Sequence, residues 1–320
     1  MSKYSHQPLD FAALKTVSLE ARGGKVRAVD FAKSYKGGGI SNWLDSLPAI
    51  LAANNFRDVL AALLAARKNQ RAIIWGLGGH VIKVGLAPVL IDLMQRRFAT
   101  AFALNGASAI HDFEIALAGQ TSEDVDAVLP DGSFGAAEET GREITLNGGL
   151  TTEDDPALGY GEALGRRLQT LAKPEFRAVS LLHETYRAGV PVTVHVAIGA
   201  DTPHTHPTAD GAVIGAHSHR DFRLLCSLIR DLNEGGVYLN VGSAVILPEV
   251  FLKAVSVVRN LGYPLGNFTT VNMDFLQHYR PRTNVVERPH NKAGGRGYSL
   301  TGHHELMVPL LAAALVEADA

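Results

Sequence analysis

Two His-x-His pairs carry the densest chemistry in this sequence: His204-Thr205-His206 and His217-Ser218-His219, with His195, Asp201 and Asp210 close by. Imidazoles at i and i+2 share one face of a strand and diverge on a helix. The set permits a zinc or iron site, or proton transfer and substrate orientation by one imidazole. No His-Glu-x-x-His spacing occurs, so no metal is assigned and a proton-transfer or substrate-orienting role for one histidine is the expectation. A metal-dependent hydrolase or lyase built on the loop 204–219 is the alternative. Nucleophilic catalysis has less to stand on. There is no Gly-x-Ser-x-Gly elbow, and Cys226, among Leu224, Leu225 and Leu228, reads as a buried, inert thiol.

Two small-residue turns offer a second kind of chemistry. In Gly76-Leu77-Gly78-Gly79-His80, with Lys83 and Gly85 beyond, glycines let backbone N–H groups approach a phosphate. Their spacing matches neither the usual dinucleotide fingerprint nor a P-loop. Lys83 either adds charge at a pyrophosphate or is a solvated helix lysine. The other turn, Asn105-Gly106-Ala107-Ser108, leads into His111-Asp112 and Glu114. Small residues here allow a ligand to lie against the backbone, and Ser108 can cap a helix. Asp112 is a ribose ligand, a substrate-ammonium ligand or a helix-start carboxylate favoured by the helix dipole.

Both turns must sit between a strand and a helix. Ala72-Ile73-Ile74-Trp75 precedes the first turn, and a helical pattern through Val81, Val84, Leu86, Val89, Leu90 and Leu93 follows it. Ala99-Thr100-Ala101-Phe102-Ala103-Leu104 precedes the second. Tandem strand–helix units imply parallel strands with helical crossovers, and ligands at the carboxyl ends of the strands. Further strands are expected at 191–198, 236–242 and 268–273, and helices at 161–171, 221–232, 247–260 and 306–316. Residues 41–67 carry one long helix or two. Segment 120–155, with Glu123-Asp124, Glu138-Glu139, Gly148-Gly149 and Glu153-Asp154-Asp155, reads as short helices and turns with a solvated acidic face.

These elements predict an α/β fold: a large Rossmann-like domain over 41–320, with a mainly parallel sheet flanked by helices, behind an N-terminal arm over 1–40. At 320 residues the chain is long enough for a substantial core. A net charge of −2 gives no electrostatic reason to expect nucleic acid as partner. One cysteine supplies no disulfide framework, which suits a reducing cytoplasm. No apolar run reaches the length of a membrane span, so neither export nor insertion is expected.

Taken together, the pieces resemble the deoxyhypusine synthase family. Val26-Arg27-Ala28-Val29-Asp30-Phe31 is similar to the family's Val-Arg-Gly-Tyr-Asp-Phe segment, and Asn55-Phe56 falls at its Asn-Phe pair. Gly85 matches the glycine of its NAD-contacting Ser-Ser-Gly loop, and the 105–112 turn its Thr-Thr-Ala-Gly-Gly turn and following acidic residues. Asp210-Gly211 and His217-Ser218 resemble its Asp-Gly and active-site His-Ser. Leu306-Met307-Val308-Pro309-Leu310-Leu311 resembles its closing Leu-Val-Phe-Pro-Leu-Leu. The turn Asn105…His111-Asp112 also resembles one in NAD-dependent archaeal-type ornithine cyclodeaminases. The resemblance implies bound NAD, contacted by Gly78, Gly79, Gly85, Asn105, Gly106, Ala107, Ser108, Gly211, Gly242 and Ser243. It also implies a homotetramer.

The departures alter the expected activity. Where the family carries its covalent lysine, this chain has Leu247, in Gly242-Ser243-Ala244-Val245-Ile246-Leu247. An alkyl side chain forms no imine, so deoxyhypusine synthesis is not expected; Lys83 and Lys253 are the nearest substitutes. His303-His304 replaces the family's Asp-Ala pair before the terminal helix. The expectation is an NAD-dependent transferase or lyase acting at a C–N bond of an amine, polyamine or amino acid. Asp112 or Asp210 would hold the substrate ammonium, and His217 or His111 would move the proton. A catalytically silent NAD- or nucleotide-binding protein is the remaining alternative.

Overall fold

The computed structural model describes residues 3–145 and 158–319. Glycines 148 and 149 and the acidic run 153–155 lie outside them. Six strands form one all-parallel sheet in the order β3-β2-β1-β4-β5-β6. They are β1 (Ile73–Leu77), β2 (Ala101–Asn105), β3 (Val192–His195), β4 (Val237–Val241), β5 (Thr269–Asp274) and β6 (Arg296–Thr301). This is the doubly wound Rossmann order, and its direction of winding reverses between β1 and β4.

Before the sheet stand α1 (Ile40–Ser46) and α2 (Leu51–Lys68), so the pattern over 41–67 is two helices, interrupted beside Pro48. Between β1 and β2 come α3 (Gly79–Lys83) and α4 (Ala87–Gln95). The single helix suggested by the spacing over 81–93 is broken there. Gly85 takes φ +82°, a conformation that ends a helix, and Pro88 starts the next one. From β2 to β3 run α5 (Gly106–Ala118), α6 (Val125–Val128), α7 (Glu138–Ile144), α8 (Tyr160–Leu171) and α9 (Leu181–Ala188). The remaining crossovers are α10 (Gly211–Arg230), α11 (Ile246–Asn260) and the short α12 (Tyr279–Pro281), before the terminal α13 (His304–Ala318).

Two of these outcomes differ in kind from the expected elements. Helix α10 begins ten residues before the predicted 221, because Asp210 caps it and glycines 211 and 215 do not stop a helix packed on β3 and α11. Strand β6 has no counterpart in the sequence reading. It is an edge strand, exposed at both ends, with Gly294-Gly295 before it and Gly302 after it, so its local signal is that of a turn.

Strand alternation divides the core. Ile73, Trp75 and Leu77 face a large cluster with α2, α4, α5, α8, α9 and α13; Ile74 faces a smaller one with α10 and α11. In the smaller cluster, Tyr238 stacks on Phe251 with ring centroids 3.9 Å apart, and Gly76 on β1 leaves room for the phenol. That hydroxyl is buried with no partner among the described residues. Leu247 lies in the same cluster and is 1% exposed.

Tyr238 separates packing from hydrogen bonding. Tyr238→Phe removes an unsatisfied buried hydroxyl and is expected to leave stability unchanged or raise it by up to about 1 kcal/mol, while Tyr238→Ala lowers it by roughly 3–5 kcal/mol. Urea unfolding of the three proteins checks this.

Candidate functional site

The carboxyl ends of β1 and β4 meet at the reversal of winding. The ladder continues past both strands, Gly78 N–H donating to Val241 O at 2.8 Å and Gly242 N–H to Met273 O at 3.1 Å. A Cβ on Gly78 would collide with the Gly242 carbonyl, so the two backbones approach more closely than any side chain permits. Gly242 takes φ +69°. Below it, Asn240 donates to Ser243 O at 2.9 Å and to Asn272 Oδ1 at 2.8 Å, and Asn272 donates to Gln277 Oε1 at 2.7 Å. This amide chain fixes the loops after β4 and β5.

Above Gly242 lies His304, the first residue of α13 and 1% exposed. A Cβ on Gly242 would stand 3.0 Å from the ring's Cε1 and Nε2. Nε2 is 3.6 Å from Oδ1 of Asp274, the buried last residue of β5. Neither ring nitrogen has a hydrogen-bond partner among the described residues. His80, exposed on α3, packs its ring at a centroid distance of 5.6 Å, and Phe275 stands edge-on at 6.0 Å. Burial pushes the His304 imidazole below its ordinary range, Asp274 pulls it back up and His80 pushes it down further.

One strand over, the turn after β2 is committed largely to the fold. Asn105 caps α5 by accepting from Ser108 N–H at 2.9 Å, and Ser108 Oγ donates to Leu77 O at 2.8 Å. Gly106 lies against the Asp201 carboxylate, which takes the place an anion would need at the helix start. Ala107 packs on Gly79, and His111 reaches the same glycine with Cδ2 3.5 Å from where a Cβ would be. His111 Nδ1 also pairs with Thr121 Oγ1 at 2.7 Å, and that hydroxyl donates to Glu114. Behind His111 opens a cavity of about 240 Å³ lined by Ile110, Glu114, Glu123, Phe134 and Asp201 among others. Burial lowers the His111 pKa, Glu114 raises it, and Lys83 and His80 lower it.

Of the expected cofactor residues, Gly78, Gly79, Gly242 and Ser243 therefore gather at the reversal point, with Asn105, Gly106, Ala107 and Ser108 beside them. Gly85 and Gly211 are exposed and stand apart, with nothing within 4 Å of an added Cβ. The four expected catalytic residues separate. Only His111 faces a cavity. Asp112 is fully buried on the inner face of α5 and accepts from Ser180 Oγ at 2.7 Å and from the N–H groups of Leu181 and Leu182 at 2.6 and 2.9 Å. These are the first donors of α9, so its role is to cap that helix, and a substrate ammonium does not fit there. Asp210 likewise caps α10. His217 is buried, its Nδ1–H donating to Leu158 O at 2.9 Å, and its Nε2 has no partner among the described residues.

The metal alternative loses its geometry. His217 and His219 lie on a helix, one buried and one exposed, while His206 pairs with Thr208 and Glu138. Among the described residues, no group of three or more His, Cys, Asp or Glu side chains is placed to hold a metal ion. The sequence reading missed His80, Asp274 and His304 as site residues. The available signal was positional: Asp274 and His304 lie at or just past the carboxyl ends of parallel strands.

No protein-family model matches this chain, and no curated protein matches it in sequence. Solved structures do match. AgrE, in ternary complex with ornithine and NAD+, covers 82% of this chain with a TM-score of 0.53 at 14% identity. The chain has their fold. A LOR/SDH protein of Methanococcus maripaludis S2 covers 85% of it with a TM-score of 0.53 at 13% identity, and a protein of Entamoeba histolytica described as a deoxyhypusine synthase covers 91% with 0.51 at 11%. This chain spans 33% of AgrE, 71% of the Methanococcus protein and 97% of the Entamoeba protein.

A further buried carboxylate ties the site's outer elements together. Asp221 Oδ2 accepts from Val194 N–H at 2.7 Å and Gly161 N–H at 2.9 Å, and burial pushes the carboxyl up to about 7. Between about pH 4 and pH 7 the folded protein then keeps a proton that the unfolded chain releases, so this group's contribution to stability falls as pH rises. Asp221→Asn keeps the acceptor and cannot ionise. Relative to wild type it is expected to gain a few kcal/mol as pH rises through that window and nothing more above it, measured by urea unfolding at a series of pH values.

Proposed function

We propose that this protein is an NAD-dependent enzyme acting at a C–N bond of a small amine, polyamine or amino acid, as a transferase or lyase, and that it does not make deoxyhypusine. The observation carrying this reading is the reversal point, where side-chain-free backbone at Gly78 and Gly242 lies beneath a buried imidazole whose two nitrogens lack partners. A dinucleotide lies across the crevice at such a point in a sheet of this order. Bound NAD would supply the acceptor for a hydride leaving a carbon that bears an amine nitrogen. AgrE, which has the same fold, is known in complex with ornithine and NAD+.

The substrate class follows from charge. The cavity behind His111 presents Glu114, Glu123 and Asp201, a surface that favours an ammonium and disfavours a phosphate or carboxylate. His111, between this cavity and Gly79, is the residue placed to take the proton that converts the bound ammonium to the free amine before hydride leaves. Leu247 has an alkyl side chain, buried in the apolar cluster beneath β4, so no imine with the protein forms at that position.

Titration of the purified chain with NAD+ by calorimetry tests the cofactor, with saturable binding in the roughly micromolar range as the expected outcome. Ornithine, arginine and spermidine, added singly with NAD+, then test for reduced-nicotinamide absorbance or ammonia release. No saturable NAD+ binding would sink the reading, and binding without turnover of any amine would favour the silent nucleotide-binding alternative.

Assembly belongs to the same proposal. The arm over residues 3–39 exposes Phe11, Leu14, Val29 and Phe31, apolar surface suited to a second copy of the chain. Light scattering after size exclusion is expected to show a homo-oligomer, a tetramer by the resemblance, and removal of the arm is expected to shift it toward smaller species. A monomer at micromolar concentration contradicts this.

A further inference from the structure

Among the described residues, single buried polar atoms of His204, His217, Asp221, Tyr238 and Asn240 lack a partner, and His304 is the side chain in which both ring nitrogens do. An imidazole 1% exposed, with neither nitrogen in a well-formed hydrogen bond among the described residues and with the Met273 backbone and the Asp274 carboxylate beside it, costs the folded state much of the desolvation of two polar atoms. A residue that merely fills space over Gly242 would do so better as leucine. The groups facing it are Asp274 from β5, His80 from α3 and Glu305 from its own helix, with His303 stacked on the neighbouring Phe275. Asp274 is itself fixed, its Oδ1 accepting from Phe275 N–H at 2.8 Å. A carboxylate beside one ring nitrogen favours the tautomer with that nitrogen protonated and stabilises the imidazolium if a second proton arrives.

Its place in the sheet decides what it would sense. In a doubly wound sheet of this order, the ribose-recognising position of the adenosine half lies at the end of the second strand. The nicotinamide half then lies on the β4–β5 side, where Gly242, Asp274 and His304 converge. The oxidised nicotinamide ring carries one positive charge, and the reduced ring carries none.

Resting on the NAD reading above, we propose that His304, held by Asp274, faces the nicotinamide end of the cofactor and takes up a proton as that ring becomes reduced. In the balanced step, the substrate carbon's C–H bond breaks and its hydride goes to the ring, oxidising the amine to an imine. The amine N–H bond breaks and its proton ends on His304. The positive charge lost by the ring is replaced on the imidazole, so the buried site keeps its charge through the step.

The proposal predicts a measurable linkage that needs no substrate. Affinities of the full chain for NAD+ and for NADH are measured by calorimetry at about pH 8 and about pH 5.5, either side of the ordinary imidazole pKa. A unit charge a few ångströms away, at a protein-like effective dielectric, is expected to change the ratio Kd(NAD+)/Kd(NADH) by about tenfold or more, in favour of NADH at the lower pH. His304→Gln is expected to hold the ratio constant to within about twofold. Asp274→Asn, which leaves the ring in place, is expected to move the change to lower pH, and His80→Gln to preserve most of it. A wild-type ratio that does not change with pH, while both forms bind, overturns this inference and leaves the NAD reading standing. An unchanged pH response in His304→Gln overturns it as well. Failure of both forms to bind overturns the NAD reading and this inference together. If His304→Gln does not fold, the wild-type ratio and the Asp274→Asn shift still decide.

Discussion

The approach of two backbones at the reversal of strand order is the constraint on which the rest of the structure depends. Gly78 and Gly242 have no Cβ at the one place where a Cβ would push β1 and β4 apart. Because the ladder continues there, the loops after both strands are held by backbone hydrogen bonds as well as by side chains. Ser108 ties α5 to the end of β1, and the Asn240–Asn272–Gln277 amides tie the β4 loop to β5 and β6. A shift of any of these loops would move His80, Asp274 and His304 relative to one another. The loops of the crevice are therefore tied to one another and to the sheet, an arrangement suited to positioning chemistry.

Buried polar groups in this protein fall into two sets, and the division separates structure from chemistry. Asp112 and Ser108 are satisfied by helix ends and strand edges, and Asp221 joins β3 to α8 through Oδ2 while its Oδ1 has no partner among the described residues. His304 is buried to the same degree and has no well-formed hydrogen bond at either ring nitrogen among the described residues, with only the carboxylates of Asp274 and Glu305 and the Met273 backbone to favour its charged form. An uncompensated polar group persists in a marginally stable fold only where something else offsets its cost. The first set explains why carboxylates on predicted helix starts need no ligand. The second identifies where one belongs.

Charge gives the crevice two unlike neighbours. Toward β2, the Asp201 carboxylate lies on the start of α5, and Glu114 and Glu123 line the adjoining cavity. Toward β5, a single carboxylate stands beside two imidazoles. An ammonium suits the first environment and a proton-coupled change of charge suits the second. His111 and His80 lie between them, close enough that His80 helps to lower the His111 pKa. A cofactor spanning the reversal point would bring these two environments to bear on one substrate.

The sequence by itself determined the fold class. Apolar runs at 72–75, 99–104, 191–198, 236–242 and 268–273 alternating with helical periodicity leave few topologies other than a parallel sheet, and five of the six strands follow from them. It also located the glycine turns, because a glycine pair between a strand and a helix has a local backbone reason. The break at Gly85 has a local cause in its φ and in Pro88. The edge strand β6 and the true length of α10 were beyond the sequence, since the glycines beside β6 and within α10 read locally as turns and packing partners distant in the chain override them. So was the allocation of roles. Asp112, within α5, and Asp274, at the end of β5, are both buried aspartates, and only the tertiary structure set one against the Ser180 hydroxyl and the first two N–H groups of α9 and the other beside the His304 imidazole. The reason is physical: periodicity records which face of an element is buried, whereas the function of a buried polar atom depends on which distant atoms reach it.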